Sequence, residues 1–589
     1  MVGAVLKKHL LRLIQWEETG CHKHHRLMEN HLYECIYECY AAMTLSLINS
    51  RRFNGARLKL CVSAIRGGKK SYSILTPRTR LTARNLPCSH IFKILRRRET
   101  RAIRQVQDLK GNIITRTRDV IDTVVTHLSQ KYGPIDADST SVTILQSVIR
   151  PVCQTKNADQ LQEPVTSEEI LTALRAGTRH KTPGFDGISL EFYTANWETI
   201  HTELHELLNQ RFLHKNITPQ QKYGVIICLP KSNGDQTPDH YRPIFLLNTE
   251  YKILARILAR RLRHVLVHQL QHTQFCGVPR ISILDAVSVV RDVIAHSEIT
   301  STTICVLTLD FQNTFDRISH QYLFHILRRY GISQWFIEGL HALYEHTTAS
   351  VQVNGTLAGP ISIQNGLRQG CPLSMVLYAL CLHPLLLSVE ENLPGLQIGR
   401  CTQCVPVLAY ANDITVFVTQ AADFSMIYQA VKSNELATGA RLNPPKSKAL
   451  AVGKWKEPAT VLGIGVHDHV NILGVTLEPT VAHSTKDNWT GVILICAVRA
   501  QARKTYARNL CLAQRIQYVQ LCLLVKIWYV AQISPPTHVQ AQQLTTICTW
   551  FIWQGATFRL GPAEYREQMQ AHPLRAYLDF RRKGRFRNG

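Results

Sequence analysis

The stretch that most constrains this chain is Val405–Val418, V-P-V-L-A-Y-A-N-D-I-T-V-F-V. Two runs rich in Val, Leu, Ile and Phe flank a short polar break at Ala411-Asn412-Asp413. Branched and aromatic residues in short runs favour strands, and a brief break between two such runs marks a hairpin. A carboxylate at the turn is exposed while its strands are packed, so it is held rigidly where a metal can reach it. One carboxylate cannot hold a catalytic metal pair, so a second must come from elsewhere. It stands in Cys305–Asp316, C-V-L-T-L-D-F-Q-N-T-F-D, where a buried-type strand ends at Asp310. If the two strands are neighbours in one sheet, Asp310 and Asp413 meet, and the expectation is a two-metal phosphoryl-transfer site. Such chemistry needs hard cations on carboxylate oxygens, one to activate the attacking 3′-oxygen and one to stabilise the leaving pyrophosphate. Asn412 stands where a further acid is expected.

The rest of the chain sets the context. At 589 residues it is too long for a single core, and about three or four domains are expected. A formal net charge of +26 points to a polyanionic partner, most simply nucleic acid, with an anionic membrane surface as the lesser alternative. The 17 cysteines form no regular framework, and the N-terminus has no apolar signal core. Both features predict reduced thiols and an intracellular protein, nuclear or cytoplasmic. The apolar stretches Leu373–Val389 and Tyr518–Ile533 are broken by His383 and Lys526 and are short for spanning, so no membrane segment is predicted.

In chain order, residues 1–110 offer a cluster of Cys21, His22, His24, His25, Cys35 and Cys39 whose spacing does not match the C-x2-C…H-x3-H zinc pattern, so that ordinary packing is favoured over a metal site, and a basic run at Arg96–Arg104. Helices are expected over Thr115–Gln130, from Thr166 (N-cap, with Glu169 completing a capping box), and over Leu190–Lys215. His201 and His205 lack the order of a zinc-protease motif. A strand at Val225–Leu229 precedes a helix over Thr249–Val267, which would pack Ile253, Ile257 and Leu258 and offer Lys252, Arg256, Arg260, Arg261 and Arg263 as a positive face. Further helices are expected over 320–346, Met375–Val389, Phe424–Thr438 and 481–555. A hairpin over Ser350–Ile363 would turn on Asn354-Gly355, with short strands at Ala449–Val452 and Ile472–Leu477.

An ordered set of further motifs decides the family reading. They are Thr182-Pro183-Gly184-Phe185-Asp186-Gly187, Leu229-Pro230-Lys231, Tyr241-Arg242-Pro243-Ile244 with Leu246-Leu247-Asn248, and Leu309-Asp310-Phe311 through Phe315-Asp316. Then come Arg368-Gln369-Gly370-Cys371-Pro372-Leu373-Ser374, Ala409-Tyr410-Ala411-Asn412-Asp413, Gly439-Ala440-Arg441-Leu442-Asn443 with Lys446-Ser447-Lys448, and Ile472-Leu473-Gly474-Val475. In this order they make residues 165–555 resemble the reverse transcriptases of non-LTR (LINE-type) retrotransposons, with a looser likeness upstream.

The resemblance implies an α+β, right-hand polymerase fold. It would comprise an N-terminal helical basic extension (1–110), a connector (111–164), fingers (165–300), an antiparallel-sheet palm (301–480), a helical thumb (481–555) and a basic disordered tail (556–589). It implies RNA-templated DNA synthesis with Mg²⁺, or Mn²⁺, on an RNA template and DNA primer with deoxynucleoside triphosphates. Asp310 and Asp413 would be the metal ligands. Phe315 would exclude a 2′-hydroxyl, Gln369 and Gly370 would face the nucleotide, and Phe311 and Tyr410 would belong to the substrate-binding set. Lys231 and Arg242 would hold the triphosphate, Lys446 would protonate the leaving group, and Leu473-Gly474 would support the primer end.

Three departures stand out. The family's hairpin reads Y-A-D-D, and Asn412 replaces its first acid. Arg280-Ile281 stands for Gly-Arg, and Phe245 replaces a small Ser and is expected to crowd its surroundings. No endonuclease domain is recognisable in 1–110, and the likeness stops soon after Trp553-Gln554-Gly555, so a truncated copy of a mobile element is expected. The rival reading is a catalytically inactive remnant that still binds nucleic acid; a metal-dependent nuclease would need an acid cluster in 1–110 that the sequence lacks.

Overall fold

The computed structural model describes residues 103–108, 111–151, 161–215, 217–231, 237–270, 273–276, 278, 281–397, 404–455, 462–503, 510, 515 and 518–553. The Cys21–Cys39 cluster, most of the Arg96–Arg104 run, Pro279-Arg280 and the 556–589 tail lie outside the described residues. The chain divides into two compact units, each assembled from separated segments.

The first unit takes in Arg150–Leu266 and Phe315–Cys381 together with the chain up to Asp138. Its sheet runs Tyr241–Leu247, Gly224–Pro230, Thr347–Val353, Thr356–Ile363. The first and last pairs are antiparallel and the central pair parallel. The second hairpin turns where expected, because Asn354 (φ 52°) and Gly355 (φ 89°) both adopt the left-handed backbone that such a turn requires. Thr166 and Glu169 form the expected capping box, opening the helix Ser167–Arg175. The helix expected over Leu190–Lys215 is broken at Asn196 into Leu190–Ala195 and Trp197–Leu213.

Of the positive face expected of the helix Thr249–Leu270, Arg261 is turned inward, while Lys252, Arg256 and Arg263 are half-buried. Arg261 is 8% exposed, with Nη2 2.7 Å from Glu169 Oε2 and 2.8 Å from the Pro164 carbonyl. Arg256 Nη1 donates to the Ala173 carbonyl at 2.9 Å. Sequence periodicity identifies a side of a helix but not what covers it; here a carboxylate and backbone carbonyls satisfy cations that would otherwise be costly to bury. Arg260 remains exposed.

The second unit takes in Ser139–Ile149, Val267–Thr314 and the chain from Leu382. Its sheet runs Val407–Tyr410, Asp413–Val418, Ile304–Leu309, Lys448–Val452, Val466–His467. Ile304–Leu309 is the middle strand, and its apolar run is what a strand covered on both faces requires. The helix Ile283–Thr300 packs Val287, Val290 and Val293, all fully buried, into the same core as Val306, Leu408 and Phe417. The segment Ile472–Leu477, expected as one strand, is a hairpin of Val470–Ile472 and Val475–Leu477. Positive φ at Leu473 (52°) and Gly474 (85°) reverses the chain between them. The helices Val481–Ala502, Val525–Ile533 and His538–Trp553 close around the fully buried Trp489, whose indole N–H donates to the Ser534 carbonyl at 3.1 Å.

Among the described residues one helix, Ser374–Asn392, is long and apolar enough to cross a membrane by length and composition alone. In this fold 78% of that apolar window is buried inside the protein, which accounts for its composition.

Candidate active site

In the second unit the hairpin closes on the pair Tyr410 and Asp413, leaving Ala411-Asn412 as its turn. Ala411 sits at φ 56°, a conformation an alanine adopts only when its surroundings enforce it. Gln274 supplies that enforcement. Fully buried, its Oε1 accepts from the Ala411 N–H at 2.9 Å and the Cys276 N–H at 3.1 Å, and its Nε2 donates to the Ala411 carbonyl at 3.4 Å.

The strand register sets the carboxylates side by side. Ile414 pairs with Leu309 across antiparallel strands, so Asp413 and Asp310 are the next residues out at adjacent strand ends. Asp310 is fastened at three atoms. Its N–H donates to Ser447 Oγ at 3.0 Å, its carbonyl accepts from the Asn443 N–H at 2.8 Å, and its Oδ2 accepts from Asn443 Nδ2 at 2.9 Å. Although Asp413 is exposed as a residue, partial desolvation of its carboxyl and then the negative charge of Asp310 push its pKa above the usual carboxylate range.

The sign of that shift matters. A raised carboxylate pKa favours the protonated folded form, so the contribution is present in acid and is lost as pH rises through the raised value. In Asp310→Asn the Asp413 pKa should fall towards its ordinary range; carboxyl ¹³C NMR titration of aspartate-labelled protein checks this. An unchanged Asp413 titration would mean that the two groups do not interact.

Lys446 lies on the turn that holds Asp310, exposed, with its N–H bonded to the Asn443 carbonyl at 3.0 Å. Tyr410 is half-buried against the sheet core. Phe311, expected among the substrate contacts, is instead 3% exposed. Its short strand pairs with Arg441–Leu442, so the ring packs inward.

The remaining expected residues lie in the first unit. Gln369 Nε2 donates to Asp316 Oδ1 at 2.9 Å, and the Gln369 carbonyl accepts from the Phe245 N–H at 2.8 Å. Gly370 (φ 109°) must be glycine, since a Cβ there would stand 2.7 Å from the Phe245 carbonyl oxygen. Phe245 is packed into the core: its ring, 3% exposed, meets Tyr132 in a T-shaped contact with centroids 5.5 Å apart. Arg368 anchors the loop from inside. Buried at 1% exposure, its guanidinium lies 4.6 Å from the Tyr251 ring and 5.0 Å from that of Tyr344, and donates to the Leu343 carbonyl at 2.9 Å. Phe315 packs tilted against Tyr378 at 4.5 Å. Lys231 and Arg242 are both exposed at one end of the first hairpin, where Leu229 pairs with Arg242.

Residues 229–477 match the family described as reverse transcriptase (RNA-dependent DNA polymerase). The chain is 29% identical over 409 residues to the transposon TX1 uncharacterized 149 kDa protein of Xenopus laevis, covering 69% of this chain and 31% of that protein. It is 28% identical over 293 residues to a retrovirus-related Pol polyprotein from the type-1 retrotransposable element R2 of Popillia japonica, covering 49% of this chain and 40% of that one. Residues 229–477 are a reverse transcriptase domain, and the proteins similar to the chain come from non-LTR retrotransposons. The chain spans less than half the length of either relative. Among solved structures, telomerase from Candida albicans is similar at a TM-score of 0.37 and 11% identity, covering 59% of this chain and 66% of that one.

The α+β class expected from the motifs is the class observed. Among the described residues no group of three or more His, Cys, Asp or Glu side chains is placed to hold a metal. The set here is two carboxylates, with Asn412 on the turn beside them.

Several supporting residues escaped the sequence reading. Asn443 and Ser447 stood inside a motif but carried no role, and Gln274 stood in none. Their partners are 133 and 137 residues away, so no local pattern could reveal them. Gln274→Leu leaves the Ala411 and Cys276 N–H groups without their acceptor, at a cost of about 1–3 kcal/mol. The expected result is faster amide exchange at Ala411, with the Lys448–Val452 strand unchanged. Equal exchange at Ala411 in variant and parent would mean that the clamp is idle.

Proposed function

We propose that this chain is an RNA-directed DNA polymerase of a retrotransposon, extending a DNA primer on an RNA template, with its rate held down by Asn412. The observation that carries the reading is the placement of Asp310 and Asp413 at adjacent strand ends, within a domain of the reverse transcriptase family. The donor set suits Mg²⁺, or Mn²⁺: hard carboxylate oxygens, with desolvation and then mutual repulsion raising the Asp413 pKa, a repulsion that a cation would relieve. When bound there, the cations supply charge that makes the primer 3′-hydroxyl a better nucleophile and offsets charge on the leaving pyrophosphate.

The protein's own groups do the rest. Asn443 and Ser447 keep Asp310 in one orientation, and Gln274 does the same for the hairpin turn. In this reading Phe315 excludes the 2′-hydroxyl, and Gln369 with the Gly370 backbone meets the nucleotide. Lys231 and Arg242 hold the triphosphate, Lys446 delivers a proton to the leaving group, and Leu473-Gly474 supports the primer end. The excess of +26 charges draws the nucleic acid to the protein.

Asn412 favours a second reading, an inactive nucleic-acid-binding remnant, because an amide oxygen brings no charge to the site. Primer extension separates the two. Purified chain is given a poly(rA) template, an oligo(dT) primer, dTTP and Mg²⁺ or Mn²⁺, beside Asp310→Ala. Slow extension that Asp310→Ala abolishes is the expected result; equal traces from both proteins would sink the polymerase reading for this chain.

A further inference from the structure

One buried acid has no part in the chemistry above. Asp316 follows Phe315 directly and is 1% exposed. Its Oδ1 accepts from the Tyr132 hydroxyl at 3.0 Å and from Gln369 Nε2 at 2.9 Å, and its Oδ2 lies 3.1 Å from Lys131 Nζ. The backbone around it is fixed as well. The Leu367 N–H donates to the Phe315 carbonyl at 2.6 Å and the Gly366 N–H to that of Ile318 at 2.8 Å. A Cβ on Gly366 (φ 79°) would stand 2.8 Å from the Asp316 carbonyl oxygen, so only glycine permits this approach.

Lys131 and Tyr132 come from elsewhere. They close the helix Thr117–Lys131, outside the matched residues 229–477. The end of that helix is tied to the Gln369 loop, since the Gln364 N–H donates to the Tyr132 carbonyl at 2.9 Å.

An ionised carboxylate only accepts hydrogen bonds. Asp316 therefore dictates which end of the Gln369 amide turns towards it, namely Nε2, and leaves Oε1 as the end offered to a substrate. Lys131 Nζ pairs with Oδ2 of the buried acid, and the Tyr132 hydroxyl fixes its plane. From this we infer that Lys131 and Tyr132, upstream of the family domain, act through Asp316 as positioning residues that set the orientation of Gln369 towards the incoming nucleotide. The inference rests on the polymerase reading above.

The test uses the full chain carrying Asn412→Asp, so that turnover is measurable, with Tyr132→Phe and Asp316→Asn added singly. Tyr132→Phe keeps the ring against Phe245 and removes one hydrogen bond. Asp316→Asn can donate as well as accept, which lets the Gln369 amide turn over. Each is expected to raise the KM for dTTP about 5-fold while kcat and primer–template affinity change little. In a Gln369→Ala background neither should have any further effect on KM, because the group they position is gone. Lys131→Met serves where Asp316→Asn fails to fold. If KM is unmoved, or if the losses add in the Gln369→Ala background, the positioning role is overturned. If Asn412→Asp itself makes no product, the polymerase reading falls, and this inference falls with it.

Discussion

In Asn412→Asp, primer extension should run about 10³-fold faster than in the parent chain, the equivalent of roughly 4 kcal/mol of transition-state stabilisation. The hairpin that carries residue 412 is already built: Tyr410 pairs with Asp413, Gln274 holds Ala411, and Asp310 is fastened beside Asp413. What the parent lacks is charge. An amide oxygen coordinates a hard cation as a neutral dipole, whereas a carboxylate adds a full negative charge where positive charge must be held during displacement at phosphorus. The same substitution has a cost that can be measured apart from activity. A third acid near two others raises their repulsion, so Asn412→Asp should melt lower than the parent in EDTA and recover in millimolar Mg²⁺. Adding Asp310→Ala should remove the gain in extension. If Asn412→Asp melts as described yet extends nothing, the remaining departures have disabled the chain, and nucleic-acid binding is the function left to it.

Gly184→Ala is expected to be the most destabilising single methyl in the first unit. A Cβ there would stand 2.2 Å from Asn248 Oδ1, 2.4 Å from its backbone nitrogen and 2.6 Å from its Cα. Two of those three atoms are backbone, so no rotamer change relieves the clash. The loop must lift off, losing the Thr249 hydroxyl bond to the Ile188 carbonyl at 2.6 Å and the close packing at Asn248. A loss of about 3 kcal/mol is expected, read as a first unfolding transition roughly 6–12 °C lower. Its pH dependence is a second check. Burial pushes the Asp186 pKa up to about 7, so in the parent this group favours folding in acid, and the benefit fades as pH rises from about 4 to about 7. With the loop undocked that term disappears, and the gap between parent and variant should narrow across the same range. A constant gap would show that Asp186 stays buried in the variant.

Much of this was legible in the residues, and most of what was not has a common cause. Val405–Val418 announced a hairpin because its two apolar runs and polar break admit little else, and Asn354-Gly355 announced another because both residues tolerate positive φ. Thr166 and Glu169 marked a helix start by a local exchange of bonds. Each of these signals is contained within a few residues. Most of the errors arose where the outcome depended on a distant partner. Arg261 looked like a surface cation until Glu169, 92 residues away, met it. Phe311 looked like a substrate contact and proved to be core. Phe245 looked oversized and has Tyr132 in T-shaped contact with it. One error was local instead: the Ile472–Leu477 segment read as one strand because valine and isoleucine outweighed a Leu-Gly pair, yet the two positive φ values there decide the path of the chain.

The sheet order carries a consequence for synthesis of the protein. Ile304–Leu309 is the middle strand, and Thr308 bonds to Lys448, 140 residues further on. At roughly 5–20 residues per second, a ribosome takes roughly 7–28 s to deliver that second neighbour after the first strand has been made. Over that interval C-V-L-T-L is an apolar segment with an open edge, in a nascent chain that cannot yet bury it. The residues that make a rigid seat for Asp310 at the end of synthesis are thus an aggregation hazard during it, and yield in a cell should depend on how well chaperones hold the chain until the last strand arrives.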